Sequence, residues 1–253
     1  MSSNRFFVSE SSIEGDRVTL GAEQAHQIRH VLRLQVGAEI VILDGVGSEY
    51  DVTLTTVGGR EVTGQVTSKR PAQGEPRIQI TLFQSLLARE KFEWVLQKGA
   101  EVGVACFAPV ATQRSIMRAK KIDEKKMARW RRILTEAAEQ SHRGKIPELE
   151  QAVDFDAAVA KLSEFDRAVI AAPGDEFDAL GEALAKAEHE TTSIALLIGP
   201  EGGFAPEEVE LARENGAIPI SLGPRILRTE TAAVVASALI LYSSGEMQPG
   251  KGR

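Results

Sequence analysis

The chain of 253 residues contains a single cysteine, Cys106, which excludes an internal disulfide and a thiolate metal cluster. Set in Val104-Ala105-Cys106-Phe107, it reads as a small core hydrophobe. Long apolar runs are also missing: the longest, Ala232 to Tyr242, is interrupted by Ser237 and is too short to span a bilayer. Residues Met1 to Ser12 lack the charged-then-apolar layout of a secretory signal, so the expected location is the cytoplasm, with no membrane partner. No internal repeat or low-complexity tract stands out. An excess of positive charge is absent too. The formal net charge is −6, against the usual balance of a protein that neutralises phosphates.

That average hides an asymmetry. Residues 89 to 145 carry 14 basic and 7 acidic groups, a net +7, whereas residues 146 to 253 carry 8 and 19, a net −11. Blocks of opposite sign suit a basic face for a polyanion beside an acidic region with another task. Lys120, Lys121, Lys125, Lys126, Arg129, Arg131 and Arg132 fit the solvated face of an ordinary helix equally well. With 43% hydrophobic residues the chain has ample material for a buried core.

The first seventy residues alternate in short segments, Arg17 to Leu20, Glu39 to Leu43, Glu49 to Thr55 and Glu61 to Thr67, punctuated by glycines. This spacing predicts a small β-barrel, interrupted by one helix on which Ala22, Ala25, Ile28, Val31 and Leu32 share a face. Lys69 to Pro76, polar with two prolines and a glycine, reads as a linker, so a first domain is expected over 1–72 and a second over 73–253. The second alternates strands with helices. Strands are expected at Arg77 to Ser85, Phe107 to Ala111, Arg167 to Ala172, Ser193 to Ile198 and Ile218 to Leu222. Helices are expected at Lys91 to Val102, Asp123 to Ser141, Asp178 to Lys186, Pro206 to Glu214 and Thr229 to Ser243. Such alternation predicts an α/β domain with a mostly parallel sheet, whose ligands bind outside the carboxyl ends of the strands.

Two loops begin there. Gly199-Pro200-Glu201-Gly202-Gly203 follows one apolar strand, and Gly223-Pro224-Arg225-Ile226-Leu227-Arg228 follows the next, leading to Thr229 as expected N-cap of the last helix. The glycine spacing does not fit G-x-G-x-x-G, and no Lys-Ser or Lys-Thr marks a phosphate loop. A single string of this kind also suits a plain strand-to-helix turn. As a pair leaving neighbouring strands on one side, with walls from Leu197, Leu222, Ile226 and Leu227, the loops suit an adenine ring and a thioether rather than a pyrophosphate.

At these strings the chain resembles the RsmE family of 16S rRNA (uracil-N3) methyltransferases, of the SPOUT superfamily. Further points of resemblance are Arg5-Phe6-Phe7, His26 to Leu34 with Arg33, Lys91-Phe92-Glu93-Trp94 with Gln97-Lys98-Gly99-Ala100-Glu101, and Glu139-Gln140-Ser141 with Arg143. The resemblance implies a PUA-like N-terminal barrel, a trefoil-knotted catalytic domain, a homodimer and a substrate in 16S rRNA or the small ribosomal subunit. It also implies S-adenosylmethionine as cofactor, held by Gly199, Pro200, Glu201, Gly202 and Gly203 and by Leu222, Gly223, Ile226, Leu227, Arg228, Thr231 and Ala232. Leu197 and Pro173 are expected as further walls.

Methylating uracil N3 requires that its proton be removed and the resulting anion be stabilised. Arg228, where a loop enters a helix, is the first candidate for the cationic group, ahead of Arg143. A salt bridge of Arg228 to Glu201 or Glu230 would instead brace the loops. Glu139 is the candidate for proton removal. Arg5, His26, Arg33, Lys91, Lys98, Arg114 and Arg118 are expected at RNA, chiefly its phosphates. Phe92 and Trp94 are expected in the core. His26 and His30 have zinc-helix spacing, yet Gln27 stands where a zincin needs Glu, and no metal is expected. Two other readings stay open. One is a SPOUT ribose 2′-O-methyltransferase, although its Asn-x-Gly-x-x-x-Arg and Ser-Leu-Asn strings are absent. The other is a non-catalytic RNA-binding assembly factor.

Overall fold

A computed structural model describes residues 4–58, 61–172, 174, 177–185 and 191–248. The chain divides into two compact units, Met1–Glu75 with Ala138–Ile146, and Pro76–Ala137 with Pro147–Arg253.

The first unit contains β1 (Arg5–Phe7), β2 (Ile13–Glu14), β3 (Arg17–Leu20), α1 (Ala22–His26), β4 (Glu39–Leu43), β5 (Ser48–Gly58) and β6 (Glu61–Pro71). Its six strands run in the order β1-β4-β5-β6-β3-β2, antiparallel except where β1 lies parallel to β4. Among the described residues the edge strands β1 and β2 do not pair with each other, so the expected barrel is a curled, incomplete one. Irregularities in the β5–β6 register at Asp51/Val52 and Leu54/Thr56 bend the long ribbon. Alternate residues Ile40, Ile42, Val52, Leu54 and Val62 fill the inside, and α1 with the π turn at 27–31 adds Ala25 and Ile28.

The stretch read as a linker is ordered. Strand β6 runs through Pro71, and the Glu75 carboxylate accepts the amide N–H groups of Gly144 and Lys145, each at 3.0 Å, and the Arg143 guanidinium at 2.7 Å. Ala138 packs with Phe7 and Leu43, which fastens 138–146 to this unit although it lies distant in sequence.

The second unit contains β7 (Gln79–Ser85), α2 (Arg89–Val102), β8 (Cys106–Ala111), most of α3 (Glu124–Gln140), β9 (Glu148–Leu149), β10 (Val153–Asp154) and α4 (Phe155–Val159). It continues with β11 (Arg167–Ala171), β12 (Asp178–Ala179), α5 (Leu180–Ala185), β13 (Ser193–Ile198), α6 (Pro206–Glu214), β14 (Ala217–Ser221) and α7 (Thr229–Ser243). All strand pairs of its sheet are parallel, in the order β10-β8-β7-β13-β11-β14-β12, with β9 beside β8. A parallel sheet has to be covered on both faces, which explains the near-continuous apolar strands such as Ile194 to Ile198. One face buries Leu82, Leu196 and Ile198 under α2, α3 and α7; the other buries Phe83, Ile170 and Leu197 under α4 and α6.

Three expectations change here. The strands that carry the two loops are not neighbours, because β11 lies between them and pairs with both. Trp94 is 41% exposed rather than in the core, whereas Phe92 is buried and stacks on Trp130 with ring centroids 4.3 Å apart. The segment expected as helix from Asp178 begins as a short strand pairing β14, and its helix starts at Leu180; Lys186 lies outside the described residues.

Candidate active site

The carboxyl ends of β13, β11 and β14 stand level, with Ala171 beside both Ile198 and Ile220. Beyond them opens a cleft of about 660 Å³, within the size range of small-molecule sites. The first loop, 199–203, forms one wall and the second, 222–228, the other; Ala171, Ala172 and Gly174 after β11 form the floor between them. Pro173, the expected third wall, lies outside the described residues.

The glycines have specific work. A Cβ on Gly199 would lie 3.1 Å from the Phe204 backbone nitrogen and 3.2 Å from its ring, so any side chain here would have to push Phe204 aside by a few tenths of an ångström. Gly223 has φ +98°, a backbone region that L side chains seldom enter. Arg114, expected at RNA phosphate, donates to the carbonyls of Gly202 at 2.8 Å and Phe204 at 3.2 Å and so braces the first loop.

The expected site residues fall into three groups. Gly199 to Gly203, Leu222, Gly223, Ile226, Leu227, Arg228 and Ala232 line the cleft together. Leu197 and Thr231 do not. Strand alternation turns Leu197 into the core on the opposite face and leaves Ile198 at the cleft, and Thr231 lies between the lining residues Thr229 and Ala232 on α7 without lining the cleft itself. Arg143 and Glu139 belong to the other unit. Arg143 is 3% exposed and paired with Glu75, and Glu139 accepts the Phe7 N–H at 2.9 Å. Sequence reasoning passed over Gln84, at the end of β7, and the hydroxyl of Thr229. The N-cap of α7 is Arg228, not Thr229; Thr229 is the first helical residue, and its hydroxyl donates to the Gly199 carbonyl.

Charge in the cleft comes from Lys91, Glu201, Arg225 and Arg228. Glu201 pairs with Lys91 at 3.0 Å, and among the described residues no ion pair joins the exposed Arg228 to Glu201 or Glu230. Of the other residues expected at RNA, His26, Arg33 and Arg118 are exposed, with the His26 and His30 rings 4.8 Å apart. Lys98 pairs with Glu101 at 2.7 Å. Arg5 is instead buried in an ion pair with Glu49, which also receives Arg70 at 2.6 Å, so that guanidinium holds β1 to β5.

An adenosine with a thioether arm fits these walls. Apolar side chains can flank a flat ring, backbone groups of two tight loops can meet its polar edge, and no phosphate cradle competes. Residues 74–241 match the RNA methyltransferase domain family, and residues 14–67 match the RNA methyltransferase PUA domain family. The ribosomal RNA small subunit methyltransferase E of Bacillus subtilis is 32% identical, with 91% of this chain and 92% of that protein aligned. The protein of the same name from Synechocystis is 34% identical over 93% of this chain and 76% of its own. The crystal structure of the Neisseria gonorrhoeae ribosomal RNA small subunit methyltransferase E bound to S-adenosyl methionine superposes with a TM-score of 0.85 at 30% identity, covering 95% of this chain and 98% of that one.

Proposed function

Because the chain belongs to the ribosomal RNA small subunit methyltransferase E family, it is an S-adenosylmethionine-dependent RNA methyltransferase of SPOUT-type, trefoil-knotted fold with a PUA-like N-terminal domain, and we propose that its acceptor is N3 of a uridine in 16S ribosomal RNA. The observation that carries this reading is the cleft itself, where both glycine loops meet beside Arg228 at the head of α7. S-adenosylmethionine, when bound, supplies an electrophilic methyl group on its sulfonium. The loops 199–203 and 222–227 hold it. Arg228, an exposed cation at the positive end of α7, stabilises the charge that spreads onto the uracil oxygens as the N3 proton leaves. Lys91 sits on the same rim and offers a phosphate contact beside the base. Arg143 and Glu139 shape the surface of the first unit that meets the RNA, through their bonds to Glu75 and Phe7.

The same reading includes a homodimer. Helix α7 is apolar on nearly every side: Ala233, Ala236, Ile240 and Leu241 are buried, yet Leu239 is 45% and Tyr242 66% exposed. An apolar outer face calls for a cover, and a second copy is the occupant that the family resemblance implies. No described helix is long and apolar enough to cross a membrane, and the expected site of action is the cytoplasm, where ribosomal RNA is found.

Primer extension on small-subunit RNA from cells with and without the protein tests the acceptor. N3 methylation blocks Watson–Crick pairing, so a stop should occur only when the protein is present. A ribose 2′-O-methyl leaves that edge intact; a stop that appears only at low deoxynucleotide concentration would favour the 2′-O alternative.

A further inference from the structure

The two walls of the cleft are joined beneath their glycines by one line of hydrogen bonds. Gln84, the penultimate residue of β7, is fully buried and lies opposite Ile198, one residue before Gly199. Its Nε2 donates to the Ser85 carbonyl at 3.2 Å and to Thr229 Oγ1 at 3.3 Å. Thr229, 7% exposed, donates its own hydroxyl proton to the Gly199 carbonyl.

The direction of this line is dictated by its end. A carbonyl oxygen can only accept, so the Thr229 proton points at Gly199, and the Gln84 group that faces the hydroxyl must be its NH2. The same orientation leaves Gln84 Oε1 buried with no partner among the described residues. An unpartnered buried oxygen is costly, and an apolar side chain like its strand neighbours Leu82 and Phe83 would avoid the cost. A polar residue held there at a loss to stability points to a task outside stability.

We propose that Gln84 and Thr229 are positioning residues for cofactor binding. Their relay sets the Gly199 carbonyl, where the first loop begins, against the head of α7, where the second loop ends, so the two walls form one surface before the cofactor arrives. A preformed surface binds more tightly because less ordering is left to do on binding. This inference rests on the cofactor reading above, and it adds a role for two residues that the chemistry itself does not need.

The test is S-adenosylmethionine calorimetry and steady-state kinetics on the full chain. Thr229→Val keeps the shape and removes the hydroxyl. It should raise Kd and KM for the cofactor about five- to tenfold, the worth of one buried hydrogen bond, with kcat within twofold. Thr229→Ser should restore both. Gln84→Met should weaken binding in the same direction and add little on the Thr229→Val background, since both changes break one line. If Thr229→Val fails to fold, Gln84→Met against wild type decides alone. Cofactor affinity within twofold of wild type in a folded variant, additive losses, or no rescue by serine would each overturn the proposal. A wild-type chain that binds no S-adenosylmethionine would instead sink the cofactor reading beneath it.

Discussion

Gly199→Ala adds one methyl group where the neighbouring atoms stand closer than ordinary contact allows. The new Cβ would stand 3.1 Å from the Phe204 nitrogen, 3.2 Å from its ring and 3.3 Å from the Gly203 carbonyl carbon. Phe204 cannot retreat easily, since it is 8% exposed and packs on Phe155 with centroids 5.6 Å apart. Nor is the far side of the loop loose, because Arg114 grips the Gly202 and Phe204 carbonyls. The strain therefore falls on the turn at 199–203, the wall of the cleft. Overpacking of this kind costs about 1–3 kcal/mol, and at about 1.4 kcal/mol per factor of ten a cost borne by the binding-ready loop raises Kd about five- to 150-fold. Calorimetric titration with S-adenosylmethionine reads this directly, and a thermal melt confirms that the variant is folded. A folded variant with affinity within twofold of wild type would refute the claim that this turn is the cofactor wall.

Other outcomes follow from the same geometry. Arg228→Ala should leave cofactor affinity within twofold while slowing methyl transfer by about two orders of magnitude, the usual cost of removing one charge-stabilising group; normal single-turnover rates would return the residue to a structural role. Arg143→Ala and Glu139→Ala should lower RNA affinity and the melting temperature of the first unit, and a loss confined to kcat would instead place them in the chemistry. Tyr242→Arg should shift the sedimentation coefficient from dimer to monomer, and an unchanged value would remove α7 from the interface. Burial, helped by Glu150 and Glu148, pushes the half-buried Cys106 thiol up to about 12. Its thiolate is therefore nearly absent at pH 8 and becomes appreciable only as pH rises towards that value, so alkylation should run roughly a thousandfold slower than in unfolded chain. Labelling of native protein at the unfolded rate would contradict this.

Much of the second unit was legible because its signals are local. Strand Ser193–Ile198 and helices Pro206–Glu214 and Thr229–Ser243 occur with the bounds that periodicity and punctuation predict, aided by Pro206 in the first helical turn. Strand order is not a local property. Nothing in the loops themselves says that β11 stands between their strands, although the sheet needs it there to set both walls around one floor. Leu197 was misplaced for a related reason. In a strand buried on both faces every residue is apolar, so the pattern does not reveal which one faces the ligand. Helical spacing says which residues share a face and not which face is buried, and α2 turns its Phe92 inward and Trp94 outward. Arg5 and Arg114 looked like free cations because a sequence does not show ion pairs or carbonyl contacts between distant segments. The same blindness hid Gln84, whose meaning appears only beside Thr229 and Gly199. The stretch Lys69 to Pro76 does contain the junction of the two units, between Glu75 and Pro76, but it is no free joint: Glu75 gathers an arginine and two amides from residues nearly seventy positions away, which punctuation by prolines and glycine does not reveal.

The most direct test of the central claim is nucleoside mass spectrometry. Small ribosomal subunits from cells lacking the protein would be incubated with the purified chain and isotope-labelled S-adenosylmethionine, and their RNA digested to nucleosides. Label should appear in 3-methyluridine alone, strongly reduced in Arg228→Ala and reduced in Gly199→Ala. Label in a 2′-O-methylated nucleoside, or no label in any nucleoside, would contradict that claim.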